Sequence, residues 1–288
     1  MASFARLSLL TVAFLCNFAH SYPVGIEVLA PRQSGAPAWA SAASAAIHPG
    51  VNTDTQGGSC TSNYIYYDTV SHDIYIGQAA HCASTGGSTD TDGCSSGTLP
   101  EGTSVTVVGA SQPGTLAYSS WARMQARGET DANTCAYNDL ALIKLNPADY
   151  GKVNPSVPVF GGPTGVRTTG LAAGEPAYSF GNSVLRQGIK VFQPKYGTSV
   201  GDQGDGWSHQ TLLQFGIPGD SGSAGFDGQG KGYGVLSTLA LAPIPTVNAF
   251  GDLQRELAYL HTIPEFANVQ LALGTEAFAV RPPSLVRK

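Results

Sequence analysis

The 288-residue chain is long enough for one large β domain or two small ones. It has 36 glycines and 18 prolines but only 12% charged residues, a balance that favours short strands and tight turns over long helices. The net charge of −5 offers no basic surface for nucleic acid and no polybasic patch for anionic lipid, so neither nucleic acid nor membrane is an expected partner.

The first 21 residues have the pattern of an export signal. Arg6 supplies the positive charge, residues 7–15 form an apolar run too short to span a bilayer, and residues 19–21 supply small side chains at a cleavage site. A buried N-terminal helix is the alternative. We expect a secreted, extracellular protein whose segment 22–45, rich in Ala, Ser, Pro and Gly, is a propeptide or an N-terminal arm.

Most of the remaining chain predicts short strands separated by turns. The predicted strands are 64–67, 74–80, 105–108, 114–121, 139–145, 176–180, 190–192, 211–215 and 233–239. Residues 146–165 contain four prolines and several glycines and are predicted to be a linker.

A helix is predicted near the end of the chain, over 252–261. Leu253, Leu257 and Leu260 fall on one of its faces, and Asp252 can cap its N-terminus. The tail that follows contains a candidate short strand at 269–273.

A polar loop at 84–98 bears a partial likeness to a calcium-binding loop. Asp90 and Asp92 could supply oxygen ligands, but Cys94 stands where a third ligand belongs and Ser95 where the loop requires glycine. We therefore interpret it as a solvated loop and expect no metal there.

Four cysteines remain once the first 21 residues are removed. An even number in an exported chain indicates disulfides, and four cysteines allow three pairings. Zinc binding is the alternative, but the sequence contains no Cys-x-x-Cys pair. The cysteines are Cys60, Cys82, Cys94 and Cys135.

Ser221 lies in the Gly-rich stretch 216–224 and is a candidate nucleophile. A serine hydroxyl is weak at neutral pH, so it needs an adjacent base and donors for the charge that develops on the substrate oxygen. The backbone N–H groups of Gly219 and Ser221 could be those donors, because small neighbours let the chain turn sharply there. An ordinary Gly-rich hairpin turn is the alternative.

A candidate base and acid precede Ser221 in the chain. His81 ends a predicted strand in Ala79-Ala80-His81-Cys82, and Asp139 begins one in Asp139-Leu140-Ala141-Leu142. The order His, Asp, Ser is that of chymotrypsin, whereas α/β-hydrolases and subtilisins use other orders. A capping or turn carboxylate is the alternative role for Asp139.

With these motifs and Gly219-Asp220-Ser221-Gly222, the chain resembles the chymotrypsin-fold (trypsin-like) serine proteases. The resemblance implies an all-β fold of two six-stranded antiparallel β-barrels with a C-terminal helix. The protease domain would cover 46–263, with barrels at about 46–150 and 155–251, the helix at 252–261 and a tail at 264–288. It also implies a Cys60–Cys82 disulfide, which leaves Cys94 to pair with Cys135.

The same resemblance assigns roles to the site residues. His81 would be the general base, Asp139 would orient it, and Ser221 would attack, with the oxyanion bound by the Gly219 and Ser221 N–H groups. Ser237 would support the triad acid, and the backbone of Thr238 and Leu239 would pair with the substrate.

The expected specificity pocket carries no charge. In the family the residue six before the nucleophile lies at the pocket base, and here it is Phe215. Glutamate-preferring relatives have a histidine before the strand serine, where this chain has Leu236. An apolar or small primary residue is therefore expected, because a buried charge without a partner is costly.

One family feature is missing from the sequence. No Ile-Val-Gly-Gly terminus is present to pair with Asp220, the acid before the nucleophile. Relatives from bacteria use an internal arginine, for which Arg186 is a candidate; a solvated surface arginine is the alternative.

The sequence thus predicts a secreted serine endopeptidase that acts on protein or peptide substrates as a monomer and needs no cofactor or metal. A catalytically silent homologue that acts as a binding protein is one alternative, and a hydrolase of non-peptide esters is another.

Overall fold

The computed structural model describes residues 33, 35–87, 91–213, 216–239 and 247–281. The expected export signal at 1–21, the pocket residue Phe215 and the loop residue Asp90 lie outside the described residues.

The described chain is mostly β, with three α-helices. The helices are α1 (Ser120–Arg127), α2 (Ala132–Tyr137) and α3 (Leu253–His261). The strands are β1 (Asn52–Thr55), β2 (Gly58–Thr61), β3 (Ile65–Asp68), β4 (Ile74–Ala79), β5 (Ser104–Val107), β6 (Gly114–Ser119), β7 (Leu140–Lys144), β8 (Gly165–Val166), β9 (Pro176–Phe180), β10 (Pro194–Asp202), β11 (Ser208–Leu213), β12 (Ala224–Asp227), β13 (Lys231–Leu239), β14 (Val247–Asp252) and β15 (Val269–Leu271).

The strands form two sheets, one from each half of the chain except that β15, near its end, joins the first. The first has eight strands in the order β15-β3-β4-β7-β6-β5-β1-β2. The second runs β12-β9-β10-β11-β14-β13-β8, and an additional β12–β13 pairing closes six of its strands into a barrel, with β8 added in parallel to β13. The expected all-β, chymotrypsin-like fold with a C-terminal helix is confirmed. Two six-stranded barrels were expected; the second sheet forms one, whereas the first is an eight-stranded half-barrel with no closing pair among the described strands.

The buried strand β3 connects two hydrophobic cores. Successive side chains on a strand point to opposite faces. Ile65 and Tyr67 therefore enter the core of the first half, while Tyr64 and Tyr66 enter the core between the halves. The Tyr64 hydroxyl donates to the Gly225 carbonyl of β12 at 2.6 Å, so this face of the first sheet packs directly on the second barrel.

The C-terminal helix α3 forms as its periodicity predicts. The Asp252 carboxylate accepts the Arg255 N–H at 2.9 Å and caps the helix. Leu253, Leu257 and Leu260 are buried on one face. The chain then returns to the first sheet, where β15 pairs antiparallel with β3, so the tail joins the two halves.

Two predicted strands differ from those observed. The strand predicted at 114–121 ends at Ser119, whose hydroxyl accepts the Ala122 N–H at 3.4 Å and starts α1. Residues 190–192 form a turn of 3₁₀ helix rather than a strand. Val191 and Phe192 are exposed there, so no neighbouring strand or core holds the segment extended.

Both disulfides expected from the resemblance are present, Cys60–Cys82 and Cys94–Cys135. The described part of the N-terminal arm packs on the first sheet, where the Trp39 ring lies 6.2 Å from that of Tyr67. No helix within the described ranges is long and apolar enough to cross a bilayer.

Candidate active site

His81 and Asp139 meet because the strands that carry them are neighbours. His81 follows the end of β4, Asp139 precedes β7, and these strands pair antiparallel with Ala79 opposite Leu140. His81 Nδ1 lies 2.7 Å from Asp139 Oδ2, and the His81 backbone N–H donates to Asp139 Oδ1 at 2.8 Å. The carboxylate thus fixes both the main chain and the ring of the histidine.

Ser237 supports the same carboxylate from the second barrel. Its hydroxyl donates to Asp139 Oδ2 at 2.6 Å. The pairing of β13 with β14 shifts register between Leu236 and Thr238, and such a bulge re-aims the side chain at its centre. The predicted support of the acid by Ser237 is thus a contact in this structure.

Asp139 also sets the protonation of the ring. Burial favours the neutral imidazole, but the negative charge of Asp139 and its hydrogen bond outweigh burial and raise the pKa of His81 above its ordinary value. Asp139 itself is only 2% exposed, so little water screens this interaction.

The turn that carries Ser221 is attached to both halves of the molecule. Thr61 on β2 donates its backbone N–H to the Ser221 carbonyl at 2.9 Å and its hydroxyl to the Gly219 carbonyl at 2.8 Å. On the other side, the Gly222 N–H donates to the Leu236 carbonyl at 2.7 Å. The turn therefore lies in the interface between the sheets.

Gly222 allows this turn to approach the strand that leads to His81. Its φ of +84° suits glycine, and a Cβ at this position would stand 2.8 Å from the Ala79 amide nitrogen. Only a residue without a side chain fits, so the fold places Ser221 beside the end of β4.

Two amides of the turn have no backbone carbonyl acceptor among the described residues. The N–H groups of Asp220, Gly222 and Ser223 donate to backbone carbonyls. In the part of the chain that the structure describes, those of Gly219 and Ser221 donate to none. The φ of +92° at Gly219 gives the turn its shape. Two unoccupied donors beside a serine hydroxyl are what a developing oxyanion requires.

Asp220 is fully buried and is held by two cations. Arg186 donates to it through Nε at 3.1 Å and through a terminal nitrogen, and Lys195 Nζ lies 2.7 Å from its Oδ2. Burial alone would raise the pKa of Asp220, but the two cations hold it below its ordinary value. Arg186, the candidate from the sequence, thus contacts Asp220 instead of a freed N-terminus.

The sequence of this chain also matches a model of a known protein family. A family model described as Trypsin matches residues 69–242, more than half of the chain. This chain belongs to the trypsin family.

Solved structures resemble this trypsin-family chain in fold. Protease A of Thermobifida fusca shares 19% identity over 80% of this chain and 100% of its own, with a TM-score of 0.51. A Cellulomonas bogoriensis chymotrypsin shares 17% over 78% of this chain and 97% of its own, with a TM-score of 0.45. The likeness to the first supports the fold. Among curated proteins, none matches.

The edge of β13 offers this trypsin-family protein a place for an extended chain. β14 pairs with one edge as far as Leu239, whereas the β12 pairing on the other edge ends at Val235. The turn that carries Ser221 continues the pairing through Leu236, whose carbonyl accepts the Gly222 N–H and whose N–H donates to the Ser223 carbonyl. Within the described ranges no strand pairs with that edge beyond Leu236. Thr238 and Leu239, the residues expected from the resemblance to pair with a substrate, lie on this stretch of β13.

The two candidate donor groups among the described residues do not favour a metal, because each contains two cysteines that are joined in a disulfide. Asp92 lies close to the sulfurs of Cys94 and Cys135, but both sulfurs are joined in a disulfide and do not ligate as thiolates.

Two buried ionisable residues near the site were missed in the sequence. Lys195 on β10 is 1% exposed, and its neighbour Gly181 leaves room that a Cβ would fill. Glu256 is completely buried on α3. Its position, three residues after Leu253 and four before Leu260, places it on the apolar face, so helical periodicity could have identified it.

Proposed function

We propose that this protein is a secreted serine endopeptidase that hydrolyses peptide bonds through an acyl-enzyme. The family match supports a serine protease in general. The observation that carries the specific proposal is the carboxylate of Asp139, which accepts the His81 ring, the His81 main chain and the Ser237 hydroxyl together. That arrangement leaves Nε2 of His81 as the ring nitrogen able to take a proton.

The chemistry follows from these positions. His81 Nε2 takes the Ser221 proton as Oγ attacks the substrate carbonyl, and the Gly219 and Ser221 N–H groups stabilise the oxyanion. The protonated ring then gives its proton to the leaving amine, and the acyl-enzyme forms. Water, activated by the same ring, hydrolyses the ester and restores Ser221. No cofactor is needed, because the side chains supply both nucleophile and base.

The free edge of β13 favours a peptide over a small ester. An extended substrate can add to that edge as an antiparallel strand and be recognised through its main chain. Protein or peptide substrates are proposed on this basis. The monomeric state expected from the resemblance is proposed with them and does not rest on this edge. The two disulfides support secretion, because such bonds persist in oxidising compartments.

A fluorophosphonate probe tests the proposal. The wild-type protein should be labelled on Ser221, and Ser221→Ala should abolish labelling and lower kcat by about 10⁶-fold, the scale seen in subtilisin. Ser44→Ala, at an exposed serine of the arm, is the matched control and should label normally. An unlabelled wild type would support the silent homologue; labelling with ester turnover but no casein digestion would support the ester hydrolase.

The proposed primary preference is an apolar or small side chain, which rests on the sequence at Phe215 and Leu236. A charged side chain in a pocket without a counter-charge would be desolvated at a cost. Cleavage-site profiling with a peptide library should show Lys, Arg and Glu disfavoured before the cut. A dominant preference for any of the three would contradict the pocket argument.

A further inference from the structure

Glu256 connects the C-terminal helix to the candidate triad acid. Its Oε1 accepts the backbone N–H of Asp139 at 3.2 Å. Gly251 makes space for this contact, because a Cβ there would lie 2.7 Å from Oε1. Glu256 has no exposed area, and its second oxygen, Oε2, has no hydrogen-bond partner among the described residues.

The surroundings of Glu256 disfavour a negative charge. An ionised carboxylate with an unpartnered buried oxygen is costly. No described lysine or arginine forms an ion pair with it. The titratable groups that interact electrostatically with Glu256 are all acids or phenols. They are Asp139, Asp252, Tyr64, Tyr66 and Tyr118.

The titration of Glu256 agrees with that geometry. Burial raises the pKa of its carboxyl well above the ordinary value, and the charge of Asp139 raises it further. The hydrogen bond from the Asp139 N–H acts in the opposite direction and is the smaller influence.

We propose that Glu256 is a positioning residue for the triad acid: a protonated carboxylic acid that fixes the main chain of Asp139 from the second barrel. The inference rests on the proposed function. The Asp139 carbonyl accepts the Ala80 N–H at 2.7 Å and its carboxylate accepts from His81 and Ser237, so Glu256 satisfies the remaining polar group of the residue. Asp139 is thus held by two residues from the second half of the chain. Ser237 binds its side chain, and Glu256 binds its main chain.

Kinetics of three variants test this role. Glu256→Gln keeps a neutral acceptor of the same shape and should stay within about threefold of wild type in kcat. Glu256→Ala leaves the Asp139 N–H unpaired and should lower kcat by about tenfold or more with little change in KM. Gln254→Ala, an exposed position of the same helix, is the control and should change neither. Full activity of Glu256→Ala would overturn the proposal.

The pKa of His81, followed by NMR, separates a neutral from an ionised Glu256 and needs no turnover. If Glu256 is protonated, Glu256→Gln leaves the pKa of His81 unchanged. If it is ionised, removal of a nearby negative charge lowers the pKa of His81, which would overturn the proposal. This measurement also stands if Glu256→Ala does not fold.

If the proposed function is wrong, the experiments give a different result from the one expected if only the role of Glu256 is wrong. In that case the wild-type protein resists the fluorophosphonate probe, while the His81 titration still reports whether Glu256 carries a charge.

Discussion

At the scale of single residues, the two cations on Asp220 differ in geometry. Arg186 contacts both carboxylate oxygens, whereas Lys195 contacts Oδ2 alone. Breaking a buried ion pair from one side costs about 3–5 kcal/mol when the other charge is left uncompensated. We expect Arg186→Met to lower the free energy of unfolding by less than that amount, because Lys195 still compensates Oδ2 of Asp220. It should also lower kcat, because the turn that carries Ser221 loses the arginine that anchors it through both oxygens.

Lys195→Met should cost clearly less, because the arginine still compensates the carboxylate. Urea unfolding in a Ser221→Ala background, which prevents self-digestion, measures stability, and peptide hydrolysis measures kcat. Lys190→Met, at an exposed position of the same loop, is the control. A larger loss for Lys195→Met than for Arg186→Met would contradict this ranking.

The raised pKa of His81 predicts how activity depends on pH. The protonated ring cannot accept the Ser221 proton, so kcat/KM should fall on acidification with a midpoint above about 6.5, the ordinary value for histidine. The contribution of His81 to the free energy of unfolding has the opposite dependence on pH. It is fully present below the unfolded pKa and is lost as pH rises through the folded pKa. Activity therefore increases over the same rise in pH in which the stabilisation by His81 is lost.

A profile of kcat/KM from about pH 5 to about pH 9 measures the midpoint. His72→Asn, at an exposed histidine, should leave it in place. A midpoint below that of free histidine would show that burial, not Asp139, controls the ring.

At the scale of elements, the segment after α3 is part of the core. Phe266 is buried against the rings of Tyr75 and Tyr118, and β15 covers the edge of β3. Phe266→Ala should lower the free energy of unfolding by about 3–5 kcal/mol, through lost burial and a cavity. Gln270→Ala, exposed on β15, should change it by less than about 0.5 kcal/mol. Urea unfolding of both variants measures these changes. A small decrease in the free energy of unfolding for Phe266→Ala would mean that the tail contributes little to stability.

Local sequence signals predicted the elements they control directly. The leucine spacing and Asp252 predicted α3, and the apolar runs predicted β4 and β7. They could not separate β6 from α1, because the boundary depends on the Ser119 hydroxyl finding the Ala122 N–H. At 190–192 the apolar pair Val191 and Phe192 favoured a strand, but both side chains are exposed in the fold, so no core holds the segment extended.

At the scale of the whole molecule, the candidate site depends on contacts between residues far apart in the chain. The motifs named His81, Asp139 and Ser221, since each has a local signature. The buried groups around them are different: Lys195 has no local signature, and periodicity places Glu256 on the apolar face of α3 without saying what it contacts. Both acquire their roles only when β10 and α3 pack beside the site. Sequence therefore identified the reacting groups, and the fold was needed for those that hold them.

Both disulfides lie in the half of the protein that bears the base and the acid. Cys82 adjoins His81, and Cys60 adjoins Thr61, which holds the turn of Ser221. Each bond constrains the unfolded chain by about 3–4 kcal/mol in the chain-entropy model. We expect a reductant to abolish peptide hydrolysis at temperatures where the oxidised protein is active. Unchanged activity after complete thiol formation, measured by mass spectrometry, would contradict this.

If activity depends on the disulfides as expected, oxidation would act as a timing signal for the proposed enzyme. A newly made copy that still has free thiols would lack the cross-link beside His81. Hydrolysis would begin only after the chain had met an oxidant, so the proteins of the cell that makes it would be spared while it remained reduced.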